Sequence, residues 1–575
     1  MRRTKIICTL GPASQSPEKI GQLIEAGMNV ARLNFSHGTH PKFQAMIDTI
    51  KEQAGFLGRN VAILLDTKGP EIRTTLVPED GVELVDGSEF VLDLDLSLGS
   101  AERVGITYHN LWQEVGVGAK ILVDDGLIGL KVVGITPGRI TTQVEYGGLL
   151  KSRKGVNVPG VSLRLPALTE EDVSDINFGI DNDVDFIAVS FTRKAADLLN
   201  VLKIVEERQA SVKIIAKIEN HEGVENVDSI LEVADGIMVA RGDLGVEIPV
   251  EDVPVYQKEI VAKCNEMGKT VIVATQMLDS MIRRPQPTRA EASDVANAIL
   301  DGADAIMLSG ETASGKYPIE ALKVMDRVAR RSEEIYFRDI YPTKKTTSIA
   351  DAIAQASAAI AGDLNAAAII TPTHSGRTSQ RIAMHRPRAV IVATTPFPKT
   401  ARQLALTWGV CALTVPDVGG TDELLSVSVT YAQQNNLIKT GDIVVLTAGV
   451  PVGKEGSTNL IKVQVVGKIL ARGMGIGRQV VSGIASFEQD PALFKEGSIL
   501  VAAATDTDVM PLMAKAGAVI VQEGGLTSHA AAVALEYKIP TIVSALEATS
   551  SIKEGQFITA DTMNGVIYEG AVTIL

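Results

Sequence analysis

Through residue 330, with one segment set aside, short apolar runs alternate with amphipathic stretches eight times, and this rhythm constrains the fold more than any composition does. The runs are Lys5–Leu10, Met28–Leu33, Val61–Leu65, Asp185–Val189, Lys213–Ala216, Gly236–Val239, Thr270–Ala274 and Ala305–Leu308. The stretches between them carry helix punctuation. Ser16-Pro17 supplies a cap with proline at the first helical position, and Gly27 closes that helix. Thr288-Arg-Ala-Glu291 is a capping box followed by Ala292, Val295, Ala296 and Ile299 at helical spacing. Eight parallel strands with crossover helices predict an α/β fold of the (β/α)8 barrel type, whose chemistry sits at the C-terminal strand ends.

Residues 70–165 break the rhythm. They are rich in Val, Gly and Asp, lack a helical period, and contain turns such as Asp124-Asp-Gly126 and Thr136-Pro-Gly138. They predict a small β-barrel domain inserted after the third strand, placed on the catalytic rim as a lid. The barrel domain is then discontinuous, 1–69 and 166–341. After a linker near Tyr341–Thr347, an α/β domain follows over 342–472. Gly473-Met-Gly-Ile-Gly477 reads as a hinge into a last α/β domain, 473–575. That glycine spacing resembles a dinucleotide loop, but no strand leads into it and no ribose acid follows.

The 575 residues suffice for several domains, roughly four by length. An excess of 69 acidic over 55 basic residues, net −14, argues against a nucleic-acid surface and requires any anion site to be built locally. Cys8, Cys264 and Cys411 lie far apart without a CxxC pair, which favours a reducing compartment over a disulfide framework or zinc site. Met1-Arg-Arg-Thr-Lys5 runs straight into the first strand with no leader, and no apolar stretch reaches membrane length; a cytoplasmic protein with no membrane partner is expected.

The strand ends collect polar residues. Arg32-Leu-Asn-Phe-Ser-His37 follows the second strand and Asp66-Thr-Lys-Gly-Pro-Glu-Ile-Arg73 the third. The fourth ends at Ser190, the fifth delivers Lys217 and Glu219, and the sixth Gly242 and Asp243. The seventh gives Thr275-Gln-Met and the eighth Ser309-Gly-Glu311. Two residues apart on extended backbone, Lys217 and Glu219 share a face. Two carboxylates with an ammonium between them suit a divalent cation plus an anionic substrate. Taken alone, that trio also reads as a structural ion pair; polar residues at nearly every strand end favour the functional reading.

The segments ARLNFSHG, LLDTKGPEIRT, IAKIEN, MVARGDLGVE, ATQMLDSM and LSGETASGKYP, in this order, resemble the pyruvate kinase family over residues 1–472. The resemblance implies phosphoryl transfer from phosphoenolpyruvate to ADP, giving pyruvate and ATP. It implies Glu219 and Asp243 as Mg2+ (or Mn2+) ligands, Lys217 as the charge facing the transferring phosphoryl group and enolate, and Arg32 as a phosphate clamp. The Gly242 and Asp243 amides, with Thr275, would hold substrate, and Ser309 would stand behind Thr275 in a proton-delivery chain. Asn34, Ser36, Asp66 and Thr67 match K+ ligands, with Glu71 the residue of the K+-dependent version. Ser36 and Thr67 also read as helix caps. Arg73, Lys154, Asn34 and His37 match nucleotide contacts; a structural hydrogen bond is an equal reading for His37.

Thr371-Pro-Thr-His-Ser-Gly-Arg-Thr378 joins a strand to a helix, so it reads either as a phosphate cradle or as a simple cap. The family places a phosphorylated small-molecule effector here, which would use Thr373, Ser375, Gly376, Arg377 and Thr378 under a loop like Gly453–Asn459, in a homotetramer. Gln522–Ala531 and Ile539–Val543 resemble the phosphohistidine domain of PEP-utilising enzymes, with His529 where that family carries phosphate. His529 then has either a phosphate-carrying role, in a dikinase- or PEP-synthase-like enzyme, or a structural and assembly role. A Mg2+-dependent lyase and a non-enzymatic effector sensor are further readings; the lid and K+ motif disfavour the first and the intact catalytic set the second.

Overall fold

The computed structural model describes residues 1–336, 348–449 and 458–572. The chain divides into two units, Met1–Lys344 with Phe397–Ala412, and Lys345–Pro396 with Leu413–Leu575. The Tyr341–Thr347 linker and most of the Gly453–Asn459 loop lie outside the described residues.

In the first unit, eight strands close a barrel: Lys5–Thr9, Val30–Asn34, Ala62–Asp66, Phe186–Val189, Lys213–Ile218, Gly236–Ala240, Thr270–Ala274 and Ala305–Leu308. All eight pairings are parallel. The predicted caps are present: Ser16 accepts from the Lys19 amide, Gly27 is left-handed at φ +111°, and Thr288 and Glu291 form the capping box.

The inserted lid wraps one apolar core that includes Phe90, Leu92, Ile121, Leu130 and Ile140. Its six-stranded sheet runs from Val156–Asn157 at one edge to Arg103–Val104 at the other. Arg73 bridges to Gly155 beside the first edge and Thr74 to Ile106 beside the second, so this short segment closes the sheet on itself. Asp124, Asp125 and Gly126 are all left-handed, the turn their side chains suggest.

Residues Phe397–Ala412 belong to the barrel unit although Lys345–Pro396 separates them from the rest of it. Ala405 and Leu406 join the cluster of side chains inside the barrel, with Ile7, Leu64, Ile215, Met238 and Met307. Arg402 pairs with Asp183 (2.7 Å) and Asp185 (3.0 Å), Lys399 with Asp183 (2.6 Å), and the buried Lys5 donates to the Val410 carbonyl (2.6 Å).

In the second unit, strands Val390–Thr395, Ala368–Pro372 and Ile443–Gly449 are parallel, and Thr458–Val465 adds antiparallel. An eight-stranded sheet completes the chain. The hinge expected at Gly473–Gly477 is absent: Met474–Ile476 is a strand paired with Thr541–Val543, and Ile469–Arg472 already pairs with Val566–Glu569. Gly473 and Gly475 serve close backbone packing, because a Cβ would lie 2.4 Å from the Val543 carbonyl oxygen at the first and 2.0 Å from that of Thr562 at the second. Among the described residues, no helix is long and apolar enough to cross a membrane.

Candidate active site

The fifth strand brings Lys217 and Glu219 to the same face, and the ammonium sits 2.9 Å from Glu219 Oε1 and 3.0 Å from Asp66 Oδ1 of the third strand. Asn34 and Asp66 are register partners at adjacent strand ends. Arg32, two residues earlier, donates Nε to Asp66 Oδ2 (2.6 Å) and one terminal nitrogen to Thr9 Oγ1 (3.0 Å). Asp66 is fully buried; burial alone would raise its pKa, but Arg32 and Lys217 hold it below the ordinary carboxylate range. Burial would strip Lys217 of its proton, yet Asp66 and Glu219 hold it charged, above the ordinary lysine value.

Glu219 and Asp243 respond the other way. Burial pushes both above the ordinary range, and the charge of Asp243 adds to the rise at Glu219. Two carboxylates driven toward protonation at one site are a donor set that a divalent cation would relieve. Among the described residues no third His, Cys, Asp or Glu joins them in a metal-holding group.

The sixth strand passes directly into the short helix Arg241–Glu247, so Gly242 and Asp243 lie in its first turn. The Gly242 amide, one of the two expected to face substrate, donates to Thr275 Oγ1 (2.7 Å). Thr275 and Gln276 hold φ +68° and +55°, and a β-branched residue with positive φ is a strained backbone of the kind stored at functional sites. Arg241 restrains it, donating to the Thr275 carbonyl (2.8 Å) while pairing with Asp294 (2.7 Å). Thr275 Oγ1 donates to the Ala274 carbonyl (2.6 Å), and Ser309 Oγ is buried without a hydrogen-bond partner. Glu311 ties the seventh and eighth strand ends together, accepting from the Leu278 and Ser309 amides.

A cavity of about 700 Å³ opens between lid and barrel rim, lined by His37, Glu71, Arg73, Lys154 and Asp243 among others. Glu71 pairs with Arg73 (2.6 Å), and Lys154 with Asp124 (2.8 Å). Neither Ser36 nor Thr67 caps a helix: Thr39 holds the N-cap position of the next helix, and Thr67 Oγ1 accepts from the Ser190 amide (3.1 Å). In the second unit, the Gly376 amide donates to Thr373 Oγ1 (3.0 Å), Gly376 has φ +81°, and Thr378 meets Thr458 (2.8 Å). Arg377 opens a helix of seven residues, with Ser375 in the preceding turn. His529 begins the helix His529–Tyr537, 3.4 Å from Thr505 Oγ1.

The residues missed from the sequence are Ser190, noted only as a strand end, and Arg241. Both act through contacts far along the chain, which no local pattern announces.

Comparison with known proteins shows which family the chain belongs to. The pyruvate kinase barrel-domain model matches residues 1–322, and the pyruvate kinase alpha/beta-domain model matches 351–464. The chain belongs to the pyruvate kinase family. The mobile-domain model of PEP-utilising enzymes matches residues 494–565. Proteins named pyruvate kinase from Geobacillus stearothermophilus and Bacillus licheniformis are 54% and 52% identical, over 100% of both chains. One from Staphylococcus aureus (strain MRSA252) is 46% identical over the same full span. The chain is thus an enzyme, a glycolytic phosphotransferase working between phosphoenolpyruvate and pyruvate, with an added C-terminal mobile-type domain.

Proposed function

We propose that this enzyme transfers the phosphoryl group of phosphoenolpyruvate directly to ADP, assisted by Mg2+ (or Mn2+) and K+, and then protonates the enolate to pyruvate. The observation that carries this reading is the buried ammonium of Lys217, held charged between Asp66 and Glu219 at the barrel mouth beside the lid cavity. Phosphoryl transfer calls chiefly for positioning and charge neutralisation. Lys217 stabilises charge developing on the transferring group and the enolate. Arg32, oriented by Asp66 and Thr9, offers its second terminal nitrogen to a phosphate oxygen. Glu219 and Asp243 would hold the divalent cation, which supplies charge neutralisation and a template for the substrate oxygens. Asn34, Ser36, Asp66 and Thr67 form an oxygen-donor set suited to K+. Gly242 and Thr275 bound the substrate site, with protonation on the Thr275 and Ser309 side.

Arg73, Lys154, Asn34 and His37 would contact the nucleotide; the cavity that three of them line supports this. Domain limits at 1–69 with 166–341, 70–165, 342–472 and 473–575, with the strand Ile469–Arg472 joining the last domain's sheet, a cytoplasmic homotetramer, and a phosphorylated effector at Thr373, Ser375, Gly376, Arg377 and Thr378 complete the proposal. The test is pyruvate and ATP formation from phosphoenolpyruvate and ADP with each cation varied. Turnover indifferent to both cations, or dependent on acid-labile phosphate at His529, would overturn direct cation-assisted transfer.

A further inference from the structure

An ammonium has three N–H bonds, and protein oxygens surround that of Lys217 in equal number. Two are the Asp66 and Glu219 carboxylates; the third is Ser190 Oγ, the shortest contact at 2.7 Å. Glu219 is also assigned to the divalent cation, so its hold on Lys217 weakens when a cation competes. Ser190 is the neutral partner; its Oγ donates to the Thr67 carbonyl at 2.6 Å, with Asp66 Oδ1 a more distant second acceptor at 3.3 Å. The Ser190 amide donates to Thr67 Oγ1 (3.1 Å), and the residue is 3% exposed.

The neighbouring residue extends the grip. The Phe191 amide donates to Glu219 Oε2 at 2.6 Å, with Phe191 in the left-handed region at φ +53°. Gly69, also left-handed at φ +75°, packs against this corner so closely that a Cβ would lie 2.8 Å from the Phe191 ring and 2.9 Å from Ser190 Cβ. A corner with this strain and this many buried polar contacts serves more than chain reversal.

We propose that Ser190 is a positioning residue of the transfer reaction: its hydroxyl links the Lys217 ammonium to the Thr67 carbonyl and fixes the ammonium's place as the carboxylates exchange partners. Ser190 acts through Lys217 and touches no reacting atom. The inference rests on the role given to Lys217 above.

The test uses the full-length enzyme, measuring kcat, KM and equilibrium binding of phosphoenolpyruvate without ADP. Ser190→Ala should lower kcat about 10- to 100-fold, the worth of one hydrogen bond to a charged group, with binding changed less than about threefold. Ser190→Cys, which preserves size but accepts weakly, should behave like Ser190→Ala; Ser190→Thr, which keeps the hydroxyl, should recover most of the rate. In a Lys217→Met background, Ser190→Ala should cost less than about threefold more, because its target is gone. A folded Ser190→Ala or Ser190→Cys with parental kcat overturns the proposal. So does a full Ser190→Ala loss in the Lys217→Met background, or a folded Ser190→Thr no better than alanine. If Lys217→Met alone keeps parental turnover, the role of Lys217 fails as well, and the two failures are told apart.

Discussion

Replacing Lys217 by Met removes the ammonium while keeping most of the side chain's length and apolar stem. In the native chain Lys217 is 8% exposed, and its nitrogen lies 2.7 to 3.0 Å from three oxygens. One preorganised neutral donor is worth about 3 kcal/mol in a transition state, and charge-assisted hydrogen bonds are roughly twice as strong. The expected loss is about 6 kcal/mol, on the order of 10⁴-fold in kcat. Phosphoenolpyruvate affinity should fall less than about tenfold, because Arg32 stays fixed by Asp66 and Thr9. Stability should drop too. Asp66 retains Arg32, so Glu219 is the carboxylate left without its cation, and breaking a buried pair costs about 3–5 kcal/mol. Burial, with Asp243 adding to it, has pushed Glu219 up to about 7 against the opposing pull of Lys217. A raised carboxyl pKa contributes stability at low pH that is lost as pH climbs from the ordinary value through the native one. Without divalent cation, the variant's melting temperature should therefore fall further below the parent at pH 8 than at pH 6. Steady-state pyruvate formation, calorimetric substrate binding and thermal unfolding at both pH values check these points. An equal loss in binding with turnover intact would refute the reasoning, as would a stability deficit that grows toward acid.

Glu71→Lys should relieve the need for K+. It exchanges a carboxylate paired with Arg73 at 2.6 Å for a cation, and each unit charge about 5 Å away is worth about 3 kcal/mol in a partly screened site. An active variant as K+-dependent as the parent would show the Asn34, Ser36, Asp66 and Thr67 set to be misread. Leu406→Ala should lower barrel-unit stability by about 2–5 kcal/mol, since Leu406 is 1% exposed within the barrel's inner cluster; an unchanged calorimetric transition would contradict this. Ending the chain near Gly467, ahead of the first strand of the last sheet, should leave pyruvate formation largely intact, and His529→Ala should match the parent rate. Abolished turnover in the single variant, with acid-labile phosphate on the parent, would replace direct transfer by a phosphohistidine route.

The sequence alone determined the barrel, because each strand and helix carries its own local signal: an apolar run, Ser16 before Pro17, Gly27 at the helix end, the Thr288–Glu291 box. It also determined which side chains reach the catalytic rim, since the residue after each parallel strand must emerge there. Partnership was decided by tertiary structure. Lys217 meets Ser190 across 27 residues and Asp66 across 151, and Arg402 crosses 217 to reach Asp185. The placement of Leu406 inside the barrel, the closure of the lid through Arg73 and Thr74, and the pairing of Met474–Ile476 into a sheet are likewise long-range. Glycine-rich sequence is permissive by nature, so Gly473–Gly477 reads as a hinge in sequence, whereas in the fold Gly473 and Gly475 allow close backbone packing. Hydrogen bonds and ion pairs form wherever the folded chain brings donors to acceptors, and only the completed fold sets those distances.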